Sequence, residues 1–197
     1  SKDEIIKWAA VGEIAAAGAS HADNVAASVL GGFTIVRKDG GSLTAVRLDP
    51  PPNLEVALAL PKVETPKNKT AAARAVLPRF VSFDDAVSNI QNAASLVAGF
   101  HMGDVELIGR GMTDVIVEPF RKKLIPGYDL VRKAALDAGA AGVAISGAGP
   151  GIIAVVDSNI TLTENVAKAM GEAFRDEGIE CETYCSKPSL RGTERII

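Results

Sequence analysis

The spacing of apolar and polar positions along the 197 residues changes period several times. Residues 2–19 are alanine-rich and nearly apolar all round, which predicts a helix of the kind buried inside a larger domain. It starts almost at residue 1, so the expectation is a chain that lacks its beginning. Residues 20–32 read as a loop and turn ending in Gly31-Gly32. Phe33 to Arg37 and Leu43 to Leu48 read as two strands joined at Asp39-Gly40-Gly41, a hairpin signal. Pro50-Pro51-Pro52 stiffens the chain and marks a boundary between residues 1–50 and 51–197.

Beyond it, Leu54 to Leu60 is a short apolar run with the length of a buried strand. Helices are predicted over Thr70–Val76, Asp84–Phe100 and Asp104–Gly111, and a loop from Glu118-Pro119 to Pro126-Gly127. Then come a helix over Tyr128–Ala138, strands over Ala141–Ser146 and Ile152–Asp157, and a helix opened by a Thr161-x-x-Glu164 capping box. That helix has Val166, Met170, Ala173 and Phe174 on its apolar face and ends at Gly178. Ile179 to Cys185 is the last strand, and a polar, loose tail follows. The order βαββαβ predicts an α+β chain whose second domain is ferredoxin-like, with residues 1–50 the remnant of another domain.

Composition narrows the classes. Hydrophobic residues make up 47% of the chain, ample for a packed core. The net charge of −3 provides no basic field for a polyanion, which argues against nucleic acid as a partner. Cys181 and Cys185 share a strand face at a spacing too long for a bridge, and two histidines do not make up a zinc site. The run Trp8 to Ala19 is too short and too interrupted by glycine to span a bilayer, and no secretory leader is visible. A cytoplasmic protein with no membrane partner is expected.

Several residues are candidates for chemistry, each with a plainer alternative. Glu13 is the one charge between Trp8 and Ala19; it is either a Mg²⁺ ligand or a carboxylate paired within the fold. His21-Ala22-Asp23-Asn24 is either a site loop or the cap of a turn through Val25 to Leu30. Ser146-Gly147-Ala148-Gly149-Pro150 joins two apolar strands, as an anion-binding backbone nest or as a tight hairpin. It is not a Walker loop, for no Gly-Lys-Ser/Thr is present. Arg74 and Arg121 stand in apolar or proline-rich surroundings, suited to a carboxylate or phosphate, or serve as ordinary surface arginines. His101 reads as structural.

Together these pieces resemble the GHMP kinase superfamily and, within it, the homoserine kinases. The resemblance rests on Gly12-Glu13, His21-Ala22-Asp23-Asn24-Val25, Gly31-Gly32-Phe33, Thr70 with Arg74, Ile116-Val117-Glu118-Pro119-Phe120-Arg121 leading to Leu124-Ile125-Pro126-Gly127, and Ile145 to Pro150. It covers essentially the whole chain. It implies a GHMP kinase C-terminal domain plus a remnant of the N-terminal domain, and ATP-dependent phosphorylation of the homoserine side-chain hydroxyl in threonine biosynthesis, with ATP and Mg²⁺. Glu13 would then hold Mg²⁺. His21, Asp23 and Asn24 would line the homoserine pocket, Asn24 near the accepting hydroxyl. Thr70 would sit by the transferring phosphate, and Arg74 and Arg121 would clamp the carboxylate. Gly147 would approach the substrate, and Ser146, Gly147 and Gly149 the nucleotide. The superfamily's glycine-rich phosphate loop is not in this sequence, so the resemblance implies the C-terminal two-thirds of the enzyme, inactive alone. A homodimer is an allowed assembly. Two other readings stand beside it: a GHMP kinase acting on mevalonate-type or sugar substrates, and a non-catalytic amino-acid-binding module.

Overall fold

The computed structural model describes residues 1–17, 21–40, 42–64 and 69–196, with the backbone alone for 15–17. The end of the helix predicted through residue 19, and Gly41 of the predicted turn, lie outside the described residues. The chain is α+β and falls into two compact units, Ser1–Pro50 with Pro188–Ile197, and Pro51–Lys187.

In the first unit α1 (Lys2–Ala17) and α2 (Ala22–Leu30) precede an antiparallel hairpin of β1 (Phe33–Asp39) and β2 (Ser42–Leu48), paired from Phe33↔Leu48 to Asp39↔Ser42. Helix α2 replaces the loop expected over 20–32. Ala22, Ala26 and Val29, spaced four and three apart, bury one stripe of it. Ile6 of α1 joins Ala26 and Val29 in a small core against Val36, Leu43 and Ala45. Of the described side chains of α1, Ile6 and Ala10 are buried, and Ile5, Trp8, Val11 and Ile14 are exposed. The tail is not loose. Gly32 N–H donates to Ser189 O at 2.7 Å, and Thr193 N–H to Ser28 O at 3.0 Å. Arg47 Nη2 donates to Leu190 O at 3.0 Å. Glycine permits this approach: a Cβ on Gly192 would stand 2.1 Å from Val29 O.

The second unit holds β3 (Leu54–Pro61), α3 (Lys69–Ala75), α4 (Phe83–Met102), α5 (Val105–Gly111), α6 (Glu118–Arg121), a 3₁₀ turn (Lys122–Leu124), α7 (Tyr128–Asp137), β4 (Gly142–Ile145), β5 (Ile152–Asp157), α8 (Thr163–Asp176) and β6 (Cys181–Ser186). The strands form one sheet in the order β4-β5-β3-β6, every pair antiparallel. Successive residues of β5 face opposite sides. Ile152, Ala154 and Val156 pack with Val131, Ala135, Val166, Met170 and Phe174 of α7 and α8. Val155 packs with Val105 and Ile108 of α5.

Cap chemistry places both ends of α4 and the start of α5. The Ser82 hydroxyl accepts from Asp85 N–H at 3.0 Å and opens α4, the Asp104 carboxylate accepts from Leu107 N–H at 2.9 Å and opens α5, and Gly103 at φ +73° ends α4. The capping box expected at Thr161 is not built. Thr161 Oγ1 donates instead to Ala138 O at 3.3 Å, and α8 begins two residues later at Thr163. The Thr163 hydroxyl is buried and donates to Glu55 of β3. Strand β6 starts at Cys181 rather than 179, with Cys181 opposite Pro61 and Cys185 opposite Ala57, both free thiols. Among the described residues no helix is long and apolar enough to cross a membrane.

Candidate active site

The second unit brings three separated pieces of sequence together at Arg121. This arginine ends α6, a helix of four residues. Its Nε donates to Ala73 O at 3.3 Å and its Nη1 to Gly147 O at 3.2 Å. One guanidinium therefore ties α3, which carries Thr70 and Arg74, to the loop after β4. Arg74 itself is exposed, beside the carbonyl that Arg121 holds, and Thr70 is half-buried in the first turn of α3. Guanidinium presents five N–H donors in a planar fork, so two main-chain bonds do not exhaust it.

The Ser146–Pro150 loop is built as a tight hairpin. Ser146 N–H donates to Gly151 O at 2.8 Å, and Gly149 N–H to Ser146 O at 3.0 Å. Those two amides are committed within the loop. Gly147 at φ +59° is exposed, and nothing lies within 4 Å of where its Cβ would be. Its carbonyl is the one that Arg121 reaches.

Below Arg121 lies a small cleft of about 70 Å³ that Asp114, Glu118, Arg121 and Gly147 help to line. Asp114 Oδ1 accepts from Asn89 Nδ2 at 2.9 Å and from the N–H groups of Ile116 and Val117, each at 2.8 Å. Asn89 Oδ1 accepts from Val115 N–H at 2.9 Å, and Asn92 Nδ2 donates to Thr113 O at 2.8 Å. Burial works to push the Asp114 carboxyl up, but donation from Val117 N–H, Asn89, Ile116 N–H and Glu118 N–H outweighs it and holds the group below its ordinary range. Burial pushes Glu118 up, although Tyr128 and Arg132 oppose the shift. Arg132 Nε lies 3.7 Å from Glu118 Oε1. The buried Tyr128 hydroxyl is driven up by burial and by the Glu118 carboxylate, which it faces without a hydrogen bond of good geometry.

A carboxyl whose folded pKa lies below its unfolded value contributes stability above the unfolded value, about 3.9 for aspartate, and loses it as pH falls through the folded one. Denaturant unfolding followed from neutral to acid pH is therefore expected to show a shallower acid limb for Asp114→Asn than for the wild type. Equal limbs would place the acid sensitivity elsewhere.

In the first unit the residues of the polar His21–Asn24 run open a helix rather than line a loop. His21 is the N-cap residue, with no side-chain capping bond, and Asp23 and Asn24 sit exposed in the first turn. Neither Asp23 nor Asn24 is the cap of that helix. The Asp23 carboxylate stands where the helix dipole favours an anion, and with Ala22, Val36 and Lys38 it lines an open hollow of about 330 Å³. Glu13 is half-buried on α1. Among the described residues no three His, Cys, Asp or Glu converge as a metal cluster. Glu13 offers a single carboxylate, the hard oxygen chemistry that magnesium takes beside phosphate and water.

Residues 89–180 match the family described as GHMP kinases C terminal. The chain is 42% identical over 184 residues to a homoserine kinase of Halorubrum lacusprofundi, covering 93% of this chain and 59% of that protein. It is 42% identical over 186 residues to a homoserine kinase of Pyrococcus abyssi, covering 94% and 60%. The crystal structure of a homoserine kinase from Cytophaga hutchinsonii superposes with a TM-score of 0.89 at 41% identity, covering 98% of this chain and 59% of that one. The chain is similar in sequence and in fold to homoserine kinases, and over residues 89–180 to the C-terminal region of the GHMP kinases. It spans 59–60% of the length of these relatives.

The sequence motifs divide between the two units. Glu13, His21, Asp23 and Asn24 belong to the first, and Thr70, Arg74, Arg121, Ser146, Gly147 and Gly149 to the second. Sequence reasoning singled out Arg121 but missed Asp114, Asn89 and the Glu118–Arg132 pair that surround its helix. An aspartate a few residues before the helix start at Glu118-Pro119 is the Asx-type turn signal that could have found Asp114.

Proposed function

We propose that the protein is an ATP-dependent homoserine kinase, forming O-phospho-L-homoserine for threonine biosynthesis in the cytoplasm. The observation that carries this reading is the 42% identity to homoserine kinases over 93% of the chain, across both compact units. Residues 51–187 would be the ferredoxin-like βαββαβ portion of the GHMP architecture, and residues 1–50 would belong to its N-terminal domain.

Mg–ATP supplies the γ-phosphoryl group, and the protein's task is to hold the acceptor hydroxyl in line with it, the part of phosphoryl transfer that depends on positioning. Glu13 would give one carboxylate to the metal. Asn24 would orient the accepting hydroxyl, with His21 and Asp23 beside it, and Thr70 would face the group in transfer. Arg121, its fork already squared against two main-chain carbonyls, would bind the amino acid's carboxylate together with Arg74. Gly147 offers a face without a side chain to the substrate; Ser146 and Gly149 hold that loop in shape near the nucleotide.

Incubating a protein that carries these 197 residues, together with the glycine-rich phosphate loop the resemblance implies, with Mg–ATP and L-homoserine, and with mevalonate and galactose as rival acceptors, tests the reading by ³¹P NMR of the product. Phosphohomoserine as the dominant product is expected. Preference for mevalonate or galactose would move the protein to another branch of the family, and homoserine binding by calorimetry without turnover would make it a binding module. Arg74→Ala should raise KM for homoserine about tenfold, the scale of one exposed charge-assisted hydrogen bond. An unchanged KM would leave Arg121 as the sole carboxylate ligand of the second unit.

A further inference from the structure

Helix α6 has only four residues, too few to be stable by its own hydrogen bonds, because the first helical turn costs more than it returns. Yet Arg121 at its end makes two main-chain bonds that need its backbone in one place. The anchorage comes from outside the helix. Asp114 Oδ1 gathers Asn89 Nδ2, Ile116 N–H and Val117 N–H, all within 2.9 Å. Asn89 returns the contact by accepting from Val115 N–H. Asn89 stands on α4, a helix of 20 residues with both ends capped, so the segment before α6 is moored to a long rigid element. Behind α6, the mostly buried Glu118 carboxylate faces Arg132 of α7.

We propose that Asp114, seated on Asn89, is a positioning residue that fixes Arg121 for recognition of the substrate carboxylate. The proposal rests on the homoserine kinase reading and adds to it the origin of the arginine's placement. Asp114 need not touch substrate. It converts three main-chain and side-chain donors into a fixed origin for α6, so that the fork of Arg121 is aligned before substrate arrives rather than ordered by it. Ordering a long side chain at the moment of binding costs affinity, and pre-organisation avoids that cost.

The test is a double-mutant cycle in the enzyme. Asp114→Ala is expected to raise KM for homoserine about tenfold while kcat changes less than about threefold and KM for ATP stays put. Asp114→Asn keeps an oxygen at the Oδ1 position and is expected to stay within about threefold of the wild type. In an Arg121→Ala background, Asp114→Ala should add less than about twofold, because the group it positions is gone. An equal KM effect in both backgrounds, or KM for ATP rising in step, would show a general disturbance and overturn the proposal. If Arg121→Ala leaves KM for homoserine unchanged, the carboxylate reading itself fails and the proposal with it; an effect of Arg121→Ala without one of Asp114→Ala sinks the proposal alone. Should Asp114→Ala not fold, Asn89→Ala takes its place, expected at about threefold in the wild-type background and none in Arg121→Ala.

Discussion

Arg121→Ala is expected to raise KM for homoserine about 10- to 100-fold, more than any other single change in the second unit. A charge-assisted hydrogen bond to a carboxylate contributes about 1.5–3 kcal/mol, and a bidentate one adds geometric selection. Arg121 also holds Ala73 O and Gly147 O. Its loss therefore releases the end of α3 and the exposed glycine turn together, and some fall in kcat is expected along with the rise in KM. Arg121→Lys separates the two roles. The ammonium keeps the charge but is a point donor on a flexible stem, unable to square itself against two carbonyls and a carboxylate. It is expected to recover less than about half of the lost binding free energy. Steady-state kinetics with homoserine varied at saturating ATP reads both variants. Wild-type KM in the alanine variant would remove Arg121 from the substrate site.

The legible parts of this site were those whose sequence departs from its surroundings. An arginine in a proline-bounded apolar run, a Gly-x-Gly between two strand patterns and a glutamate in an alanine helix each break a local pattern. Arg121, Gly147 and Glu13 were singled out that way, and the structure brings Arg121 and Gly147 together. Most strand and helix identities in the second unit were also legible, because Leu54–Leu60 and Ile152–Asp157 are short apolar runs, but α6 and the 3₁₀ turn stand where a loop is predicted over Glu118 to Gly127. What was not legible depends on partners distant in sequence. Asn89 looks like any polar residue on α4 until Asp114, 25 positions on, meets it. Helix α2 was hidden because polar His21, Asp23 and Asn24 mask the spacing of Ala22, Ala26 and Val29. The capping box at Thr161 failed because the threonine hydroxyl found a carbonyl in the α7–β4 connection instead. The tail looked loose because most of its bonds end on main-chain atoms of distant residues, which composition does not display.

The largest loss of stability is expected from Gly109→Ala or Gly142→Ala. Gly109 lies in α5 and Gly142 opens β4, and the two backbones touch at these residues. A Cβ on Gly109 would stand 2.1 Å from Ala141 O and 2.2 Å from Ala141 C; one on Gly142 would stand 2.4 Å from Gly109 O. Every near atom belongs to a backbone, so no side chain can swing away to make room. Accommodation means lifting α5 off the sheet, where Val105 and Ile108 bury their side chains with Val155. Overpacking a core usually costs about 1–3 kcal/mol, and a clash with main chain on both sides belongs at or above the top of that range, about 3 kcal/mol or more. Neither glycine has a positive φ, so the strain is steric contact and not backbone conformation. The consequence reaches the site, because β4 leads directly into Ser146 and Gly147. Urea unfolding of Gly109→Ala, Gly142→Ala and, as a control, Gly103→Ala separates the causes. Gly103 has open space around it but φ +73°, and its replacement should cost only about 1 kcal/mol, the conformational penalty alone. A Gly109→Ala protein as stable as the wild type would mean that α5 and β4 do not approach as closely as described.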